Sequence, residues 1–273
     1  MRDYKLIAFD MDGTLLNEKK EISKKNIEYI NKAIDKGIIV ILSTGRNLAE
    51  LRDYLKLIPG IRYVVCTSGS YIGDLKENKV IYRNPLTPKE ILPIMDVSEK
   101  EDIMVHFLDK DSIIQKDTLE VMEKYGMGDF KEIFRRITVK LDDIRNEYRA
   151  NPVNIDKILM YHTNPEARER TKKRLEEKGL DLMFAYAWTT SLEVSPGDVD
   201  KGKGIKRLCD YLGIDIEDTI VVGDSDNDRG SFKVCGLKIA VENATDEIKE
   251  MADVIVASND DDGCAQAIEQ YLL

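Results

Sequence analysis

The 273-residue chain is poor in the residue types on which many enzyme chemistries depend: it has two histidines, four cysteines and one tryptophan. His106 and His162 stand too far apart for metal-ligand spacing, which argues against a histidine-built metal centre. Cys66, Cys209, Cys235 and Cys264 are also scattered, with no C-x-x-C, so neither a zinc site nor a disulfide framework is expected. Reduced thiols in a cytoplasmic protein are the expected state. Long apolar runs are missing too. The longest aliphatic run, Ile38 to Leu42, is far short of the ~20 residues that cross a bilayer. Between Lys5 and Asp10 only Leu6, Ile7, Ala8 and Phe9 are apolar, so no secretory signal is expected. Basic charge is in deficit: 41 Lys and Arg face 51 Asp and Glu, a net charge of −10. That balance disfavours nucleic acid as a partner, but a bound cation would still let the protein bind a small anion. What remains for chemistry is carboxylates, hydroxyls and lysine.

Short apolar runs alternate with amphipathic stretches at both ends of the chain. Leu6–Phe9 reads as a strand, 23–36 as a helix closed by Gly37, Ile38–Leu42 as a strand, Asn47–Leu57 as a helix and Tyr63–Cys66 as a strand. The rhythm returns with a helix at Lys203–Leu212 and strands at Thr219–Val222 and Leu237–Val241. A helix at 245–251, a strand at Val254–Val256 and a helix at Gly263–Tyr271 complete it. This order predicts a doubly wound α/β parallel sheet made from both ends of the chain. Between 85 and 188, strand-like segments at 103–107, 136–140 and 157–161 alternate with helices at 117–125 and 164–178. That pattern predicts an inserted α+β unit, or alternatively a continuation of the parallel sheet. The expected domains are a core of 1–84 and 189–273 and an insert of 85–188.

Four segments concentrate chemistry. Asp10-Met11-Asp12-Gly13-Thr14 follows the first strand, and open α/β sheets bind ligands at strand C-termini. Aspartates at i and i+2 share one side of an extended chain. They suit a nucleophile and a general acid/base held together by a cation. Gly223-Asp224-Ser225-Asp226-Asn227-Asp228 follows another strand, and its density of oxygen donors selects a hard cation such as Mg2+. A calcium loop does not fit, because Arg229 stands where the invariant glycine belongs and Cys235 where the bidentate glutamate belongs. Ser43-Thr44-Gly45-Arg46, between a strand and a helix, offers a hydroxyl and backbone N–H groups as a phosphate cradle. Gly197 to Lys203 matches G-x-x-x-x-G-K, but Gly204 replaces the hydroxyl residue a nucleotide loop requires. Lys201, opening a helix, is better used against anionic charge. A cysteine-based phosphate chemistry also fails, since the positions that would need arginine hold Ile72, Asp215, Val241 and Gln270.

Taken in this order, the segments resemble the haloacid dehalogenase (HAD) superfamily, and within it the Cof-type branch with a class IIB cap. Asp10-Met11-Asp12-Gly13-Thr14, Thr44-Gly45-Arg46, Lys201-Gly202 and Gly223-Asp224-x-x-Asn227-Asp228 match its four motifs. Ala240-Val241-Glu242-Asn243-Ala244 and Asn259-Asp260-Asp261-Asp262-Gly263 match further stretches of that branch. Ser68-Gly69-Ser70, Ser231 and Cys264 depart from its usual residues.

The resemblance implies a Mg2+-dependent phosphatase of small phosphorylated metabolites such as sugar phosphates. Asp10 would be the nucleophile that forms an aspartyl-phosphate, and Asp12 the general acid and base. The carboxylates of Asp10 and Asp224 and the main chain of Asp12 would ligate Mg2+, with Asn227 and Asp228 ordering the shell. Thr44 and Lys201, with Gly13, Gly45, Arg46 and Asn227, would meet the phosphate or substrate. Arg46 and Lys157 are candidate substrate contacts, and the insert would set specificity. A phosphomutase using the same nucleophile, or a silent metabolite-binding regulator, stays open. No nucleic acid or membrane partner is expected, and the oligomeric state is left open.

Overall fold

A computed structural model describes residues 2–186 and 188–273. In chain order the strands are β1 (Leu6–Phe9), β2 (Ile39–Ser43), β3 (Tyr63–Cys66), β4 (Tyr71–Asp74), β5 (Lys79–Arg83), β6 (Ile103–Leu108) and β7 (Ser112–Gln115). They continue as β8 (Thr138–Leu141), β9 (Lys157–His162), β10 (Leu182–Ala185), β11 (Ser191–Pro196), β12 (Thr219–Gly223), β13 (Leu237–Val241) and β14 (Val254–Val256).

The chain divides into two compact units. The first holds residues 1–46, 51–83 and 200–273, around an eight-stranded sheet of order β14-β13-β12-β1-β2-β3-β4-β5. β14 through β3 run parallel, and β4 and β5 extend the edge antiparallel. β1 is apolar and buried at every position, as a parallel strand covered on both faces must be. It lies between β12 and β2, with Leu6 in register with Thr219 and with Ile39. From β1 the chain winds outward to β2 and β3; on its return it winds the other way through β12, β13 and β14. The boundary between β1 and β12 is therefore the topological switch point, where strand-end loops diverge and leave a crevice. Helix Lys24–Asp35 packs Ile30 and Ala33 inward, with Ser23 Oγ accepting from Asn26 N at 3.0 Å as its N-cap.

The second unit comprises 84–199 with 47–50. Its six strands, in order β10-β11-β9-β6-β7-β8, are antiparallel except for the parallel pair β7–β8. It is thus a separate α+β sheet and does not continue the parallel one. Alternate residues divide between its faces. Ile103, Val105, Phe107, Ile158, Met160, Leu192 and Val194 pack with Ile91, Ile94, Tyr148 and Leu175 of the helices. Met104, Leu108, Ile114, Leu159 and Tyr161 pack under Leu119, Met122, Tyr125 and Phe134.

The expected insert boundary after residue 188 needs correction. β11 lies beyond it, pairs with β9 and β10, and places Leu192 and Val194 in the insert's core, so this unit runs to Val199. The expected strand at 136–140 is split: helix Lys131–Ile137 ends where Thr138 Oγ1 donates to Phe134 O at 2.6 Å, and β8 begins there. The β4–β5 hairpin and β7 were not foreseen.

Candidate active site

At the switch point the first and fourth motifs face each other. The Asp10 amide donates to Val222 O at 3.0 Å, which carries the β1–β12 pairing to the first catalytic candidate. The chain then turns. Gly13 has a φ of 83°, and a Cβ there would lie 2.5 Å from Asp224 Oδ2, so both conformation and space require glycine. Thr14 Oγ1 donates to Asp224 Oδ1 at 2.8 Å and ties the two loops together.

One oxygen each from Asp10, Asp224 and Asp228 lies within 4.8 Å of the others. Lys201 Nζ enters this group, donating to Asp10 Oδ1 at 2.5 Å, Asp228 Oδ1 at 2.7 Å and Asn227 Oδ1 at 2.9 Å. These three acceptors use all three ammonium donors of a fully buried side chain. The helix that carries it starts on Asp200, whose Oδ1 accepts from Lys203 N at 2.9 Å. Gly202 lets it approach Gly230 O, which a Cβ would meet at 2.2 Å. Asp228 also accepts the Asp224 and Ser225 amides on Oδ2, at 3.0 and 3.3 Å, and so shapes the loop it belongs to. Asp226 is exposed and paired with Arg229 at 2.6 Å, outside the cluster.

The electrostatics follow from crowding. Burial, together with the charges of Asp228 and Asp224, holds Asp10 well above the ordinary carboxylate range although Lys201 opposes the shift. Burial and Asp228 push Asp224 up to about 6. Burial disfavours the Lys201 charge, but Asp10 and Asp228 outweigh it and hold the ammonium above its ordinary value. Asp12 behaves oppositely. Burial would raise it, yet Arg46 and then Lys20 hold it far below the usual range. Arg46 makes a two-pronged pair with Asp12, Nε to Oδ2 at 2.7 Å and Nη2 to Oδ1 at 2.8 Å. An all-oxygen donor set of three carboxylates, two of them raised by burial and by one another, fits a hard divalent cation such as Mg2+, whose charge would offset their mutual repulsion.

Thr44 is buried, and its Oγ1 accepts from the Arg46 amide at 3.2 Å, within a turn at the end of β2 that includes Gly45. That turn is braced by a loop the sequence did not mark as structural. Thr67, Ser68 and Gly69 take φ of 47°, 58° and 101° in succession, and their amides reach back: Thr67 N to Arg46 O and Ser68 N to Thr44 O, both at 2.9 Å. Consecutive left-handed residues outside glycine store strain, which is typical of functional sites.

Asn243 and Asn259, within the two outlying matching stretches, also have a structural role. Asn243 Nδ2 donates to Gly13 O at 2.8 Å, and Asn259 Nδ2 to Leu16 O at 2.9 Å. Lys20 and Tyr54 were missed altogether: Lys20 Nζ lies 3.2 Å from Asp12 Oδ1, and the Tyr54 hydroxyl donates to Lys20 O at 3.0 Å. No local motif announces them. The candidate contact Lys157 is buried in the second unit and ion-paired with Glu193. His106 and His162 are buried there as well, and all four cysteines are free and buried. Among the described residues no helix is long and apolar enough to cross a membrane.

A doubly wound α/β core, an inserted α+β unit and an acidic cluster around a buried lysine define the class of architecture. The model of the haloacid dehalogenase-like hydrolases matches residues 7–268, and the chain belongs to that family, in its Cof-type phosphatase branch. It is 30% identical to the 5-amino-6-(5-phospho-D-ribitylamino)uracil phosphatase YcsE of Bacillus subtilis, over 99% of this chain and 97% of that one. A haloacid dehalogenase-like hydrolase from B. subtilis superposes with a TM-score of 0.86 at 27% identity, over 98% of this chain and 100% of that one. The fold is also shared with a HAD subclass IIB sugar phosphatase, with a TM-score of 0.83 at 23% identity and 98% coverage of both chains.

Proposed function

We propose that this protein is a Mg2+-dependent phosphatase of small phosphorylated metabolites, sugar or sugar-alcohol phosphates among them, working through an aspartyl-phosphate on Asp10. The observation that carries it is the Lys201 ammonium, buried against Asp10 and Asp228 beside Asp224. That arrangement suits a reaction that asks for charge neutralisation around a transferring phosphoryl group.

In this reading an Asp10 oxygen attacks phosphorus while the ester P–O bond breaks, and Asp12, protonated once it has turned from Arg46 and Lys20, gives the leaving oxygen its proton. Asp12 then takes a proton from the water that attacks the aspartyl-phosphate, releasing phosphate and restoring Asp10. Lys201, the Thr44 hydroxyl and the backbone N–H groups around Gly13 and Gly45 hold the phosphoryl oxygens. The carboxylates of Asp10 and Asp224 and the main chain of Asp12 would hold Mg2+, with Asn227 and Asp228 ordering its surroundings. The cation supplies positive charge against a phosphate dianion that these carboxylates would otherwise repel. In the structure Arg46 and Lys20 hold the Asp12 carboxylate. Residues 84–199, which carry none of the four motifs, are assigned to choosing among leaving groups. The similarity to YcsE, by its name a phosphatase of a uracil that carries a phosphorylated ribityl chain, supports this substrate class.

The test is phosphate release from a panel of phosphorylated metabolites with Mg2+, with chelator, and with Asp10→Asn. Turnover is expected only with metal and the intact carboxylate. Activity that survives either loss refutes the mechanism. Net phosphate from a monophosphate without a bisphosphate activator separates hydrolysis from phosphoryl return to sugar.

A further inference from the structure

Two cations converge on the carboxylate at the mouth of β1. Arg46 holds both Asp12 oxygens, at 2.7 and 2.8 Å, and Lys20 adds a third donor 3.2 Å from Oδ1. One aromatic residue organises both. The Arg46 guanidinium lies 5.4 Å from the centre of the Tyr54 ring, and the Tyr54 hydroxyl donates to the Lys20 carbonyl at 3.0 Å. Lys20 itself is held at a φ of 60° in a turn closed by its amide on Asn17 O at 2.9 Å. A rigid guanidinium fork next to an ammonium is a receptor for a planar carboxylate or a phosphate. It is also more open than the nucleophile: the side chains of Arg46, Lys20 and Asp12 are 15%, 32% and 36% exposed, against 4% for Asp10.

Resting on the phosphatase reading above, we infer that Arg46 and Lys20 bind a second anionic group on the leaving-group side of the substrate, so that the favoured substrates are phosphomonoesters of acidic alcohols. Asp12's own carboxylate occupies this receptor in the structure. To serve a leaving oxygen it must turn away from donors that now bond both of its oxygens. A carboxylate or second phosphate two to five bonds from the ester oxygen replaces it there like for like. A neutral leaving group offers no such exchange, so Asp12 leaves the two cations less readily for it. Lys20 is thereby a specificity-determining residue outside the four motifs, and Tyr54 positions it. Discrimination of this kind is large, because a site built for a polar group rejects the analogue that lacks it.

The experiment compares kcat/KM, with Mg2+, within matched pairs of esters. In one pair 2-phosphoglycolate and ethyl phosphate differ by a carboxylate in place of a methyl group. In the other, 1,3-propanediol bisphosphate is set against propyl phosphate. 4-Nitrophenyl phosphate reports turnover as such. At least one acidic ester is expected to exceed its neutral partner on the order of 10- to 100-fold, as charged hydrogen bonds allow, and the better pair identifies carboxylate or phosphate. Lys20→Gln should lower that ratio by about tenfold or more, and Lys20→Arg should keep it. Because the ratio is read within each variant, a general loss of activity cancels. Equal kcat/KM for acidic and neutral esters, or an undiminished ratio in Lys20→Gln, overturns the inference. Failure to turn over 4-nitrophenyl phosphate and every other ester refutes the phosphatase reading instead, and this inference falls with it.

Discussion

Each unit of the molecule buries a lysine completely, and the two are surrounded differently. Lys201 stands among Asp10, Asp224 and Asp228, whose oxygens lie within 4.8 Å of one another, and their negative charge exceeds what one ammonium can offset. Lys157 pairs with Glu193, and that pair sums to zero. A balanced buried pair is explained by structure alone, since each charge satisfies the other. An excess of carboxylates is not, because a fold gains nothing by crowding them unless a cation and an anionic ligand share the place.

The comparison can be broken most forcefully at Lys201. Lys201→Met should lower kcat on the order of 10³-fold, the scale for removing a preorganised charge from a transition state. An assay of phosphate release checks it, and a loss below about tenfold would show that Lys201 is merely structural. In the insert the expected signature is stability. Lys157→Met strands the Glu193 carboxylate and should cost about 3–5 kcal/mol, whereas Lys157→Met with Glu193→Leu should recover most of that. Urea unfolding of the single and double variants decides, and equal costs would mean that the pair does not act as a unit.

The next effect sharpens the difference in metal dependence. At about 100 times its Kd, Mg2+ should stabilise the native protein by about 2.7 kcal/mol. Asp224→Asn should weaken that gain strongly, while Lys157→Met should leave it in place. Thermal unfolding with and without the metal measures both.

A further difference is in pH. Burial, with a contribution from Lys157, holds His106 at about 3, against 6.5 for an ordinary imidazole. The folded state therefore binds fewer protons than the unfolded chain between these values. The stability this contributes is present above pH 6.5 and is lost as pH falls toward 3, at up to about 1.4 kcal/mol per pH unit. Asp10 and Asp224 act with the opposite sign when no metal is present. Their raised values favour the folded state at low pH, and that contribution fades as pH rises through about 6 for Asp224. His106→Gln should flatten the acid limb of a urea-midpoint profile between pH 4 and 6.5; an unchanged limb would assign that limb to other groups. His162, lowered mainly by burial, is the remaining imidazole in the insert.

Core strands were legible because parallel strands buried on both faces must be continuous apolar runs, as Leu6–Phe9 and Tyr63–Cys66 are; Leu237–Val241, despite Lys238, and the edge strand Val254–Val256 also fall where their short apolar segments stand. The β4–β5 hairpin was not, since Lys79 to Arg83 is a largely exposed edge strand with little apolar periodicity. β11 was hidden differently. Ser191-Leu192-Glu193-Val194-Ser195-Pro196 alternates well, but its neighbours in the chain are the core's loops, and only its pairing with β9 and β10 assigns it to the insert. Among site residues, Asp10, Asp12, Lys201, Asp224 and Asp228 could be picked out because each sits where a strand ends or a helix begins. Lys20 and Tyr54 could not, because a lysine in a turn and a tyrosine on a helix become partners only through distance in space.

By itself, the sequence determined which segments are apolar enough to be covered on both faces, and which strand ends carry carboxylates, hydroxyls and the helix-opening lysine. Those properties are local, set by side-chain chemistry and a periodicity of a few residues. Tertiary structure alone decided that Asp10 and Asp224 share one crevice, that Lys201 uses all its donors there, and that Arg46 turns to Asp12 with Lys20 beside it. These depend on strand order and on glycine-permitted close approaches between loops some two hundred residues apart in the chain, as at Gly13 against Asp224.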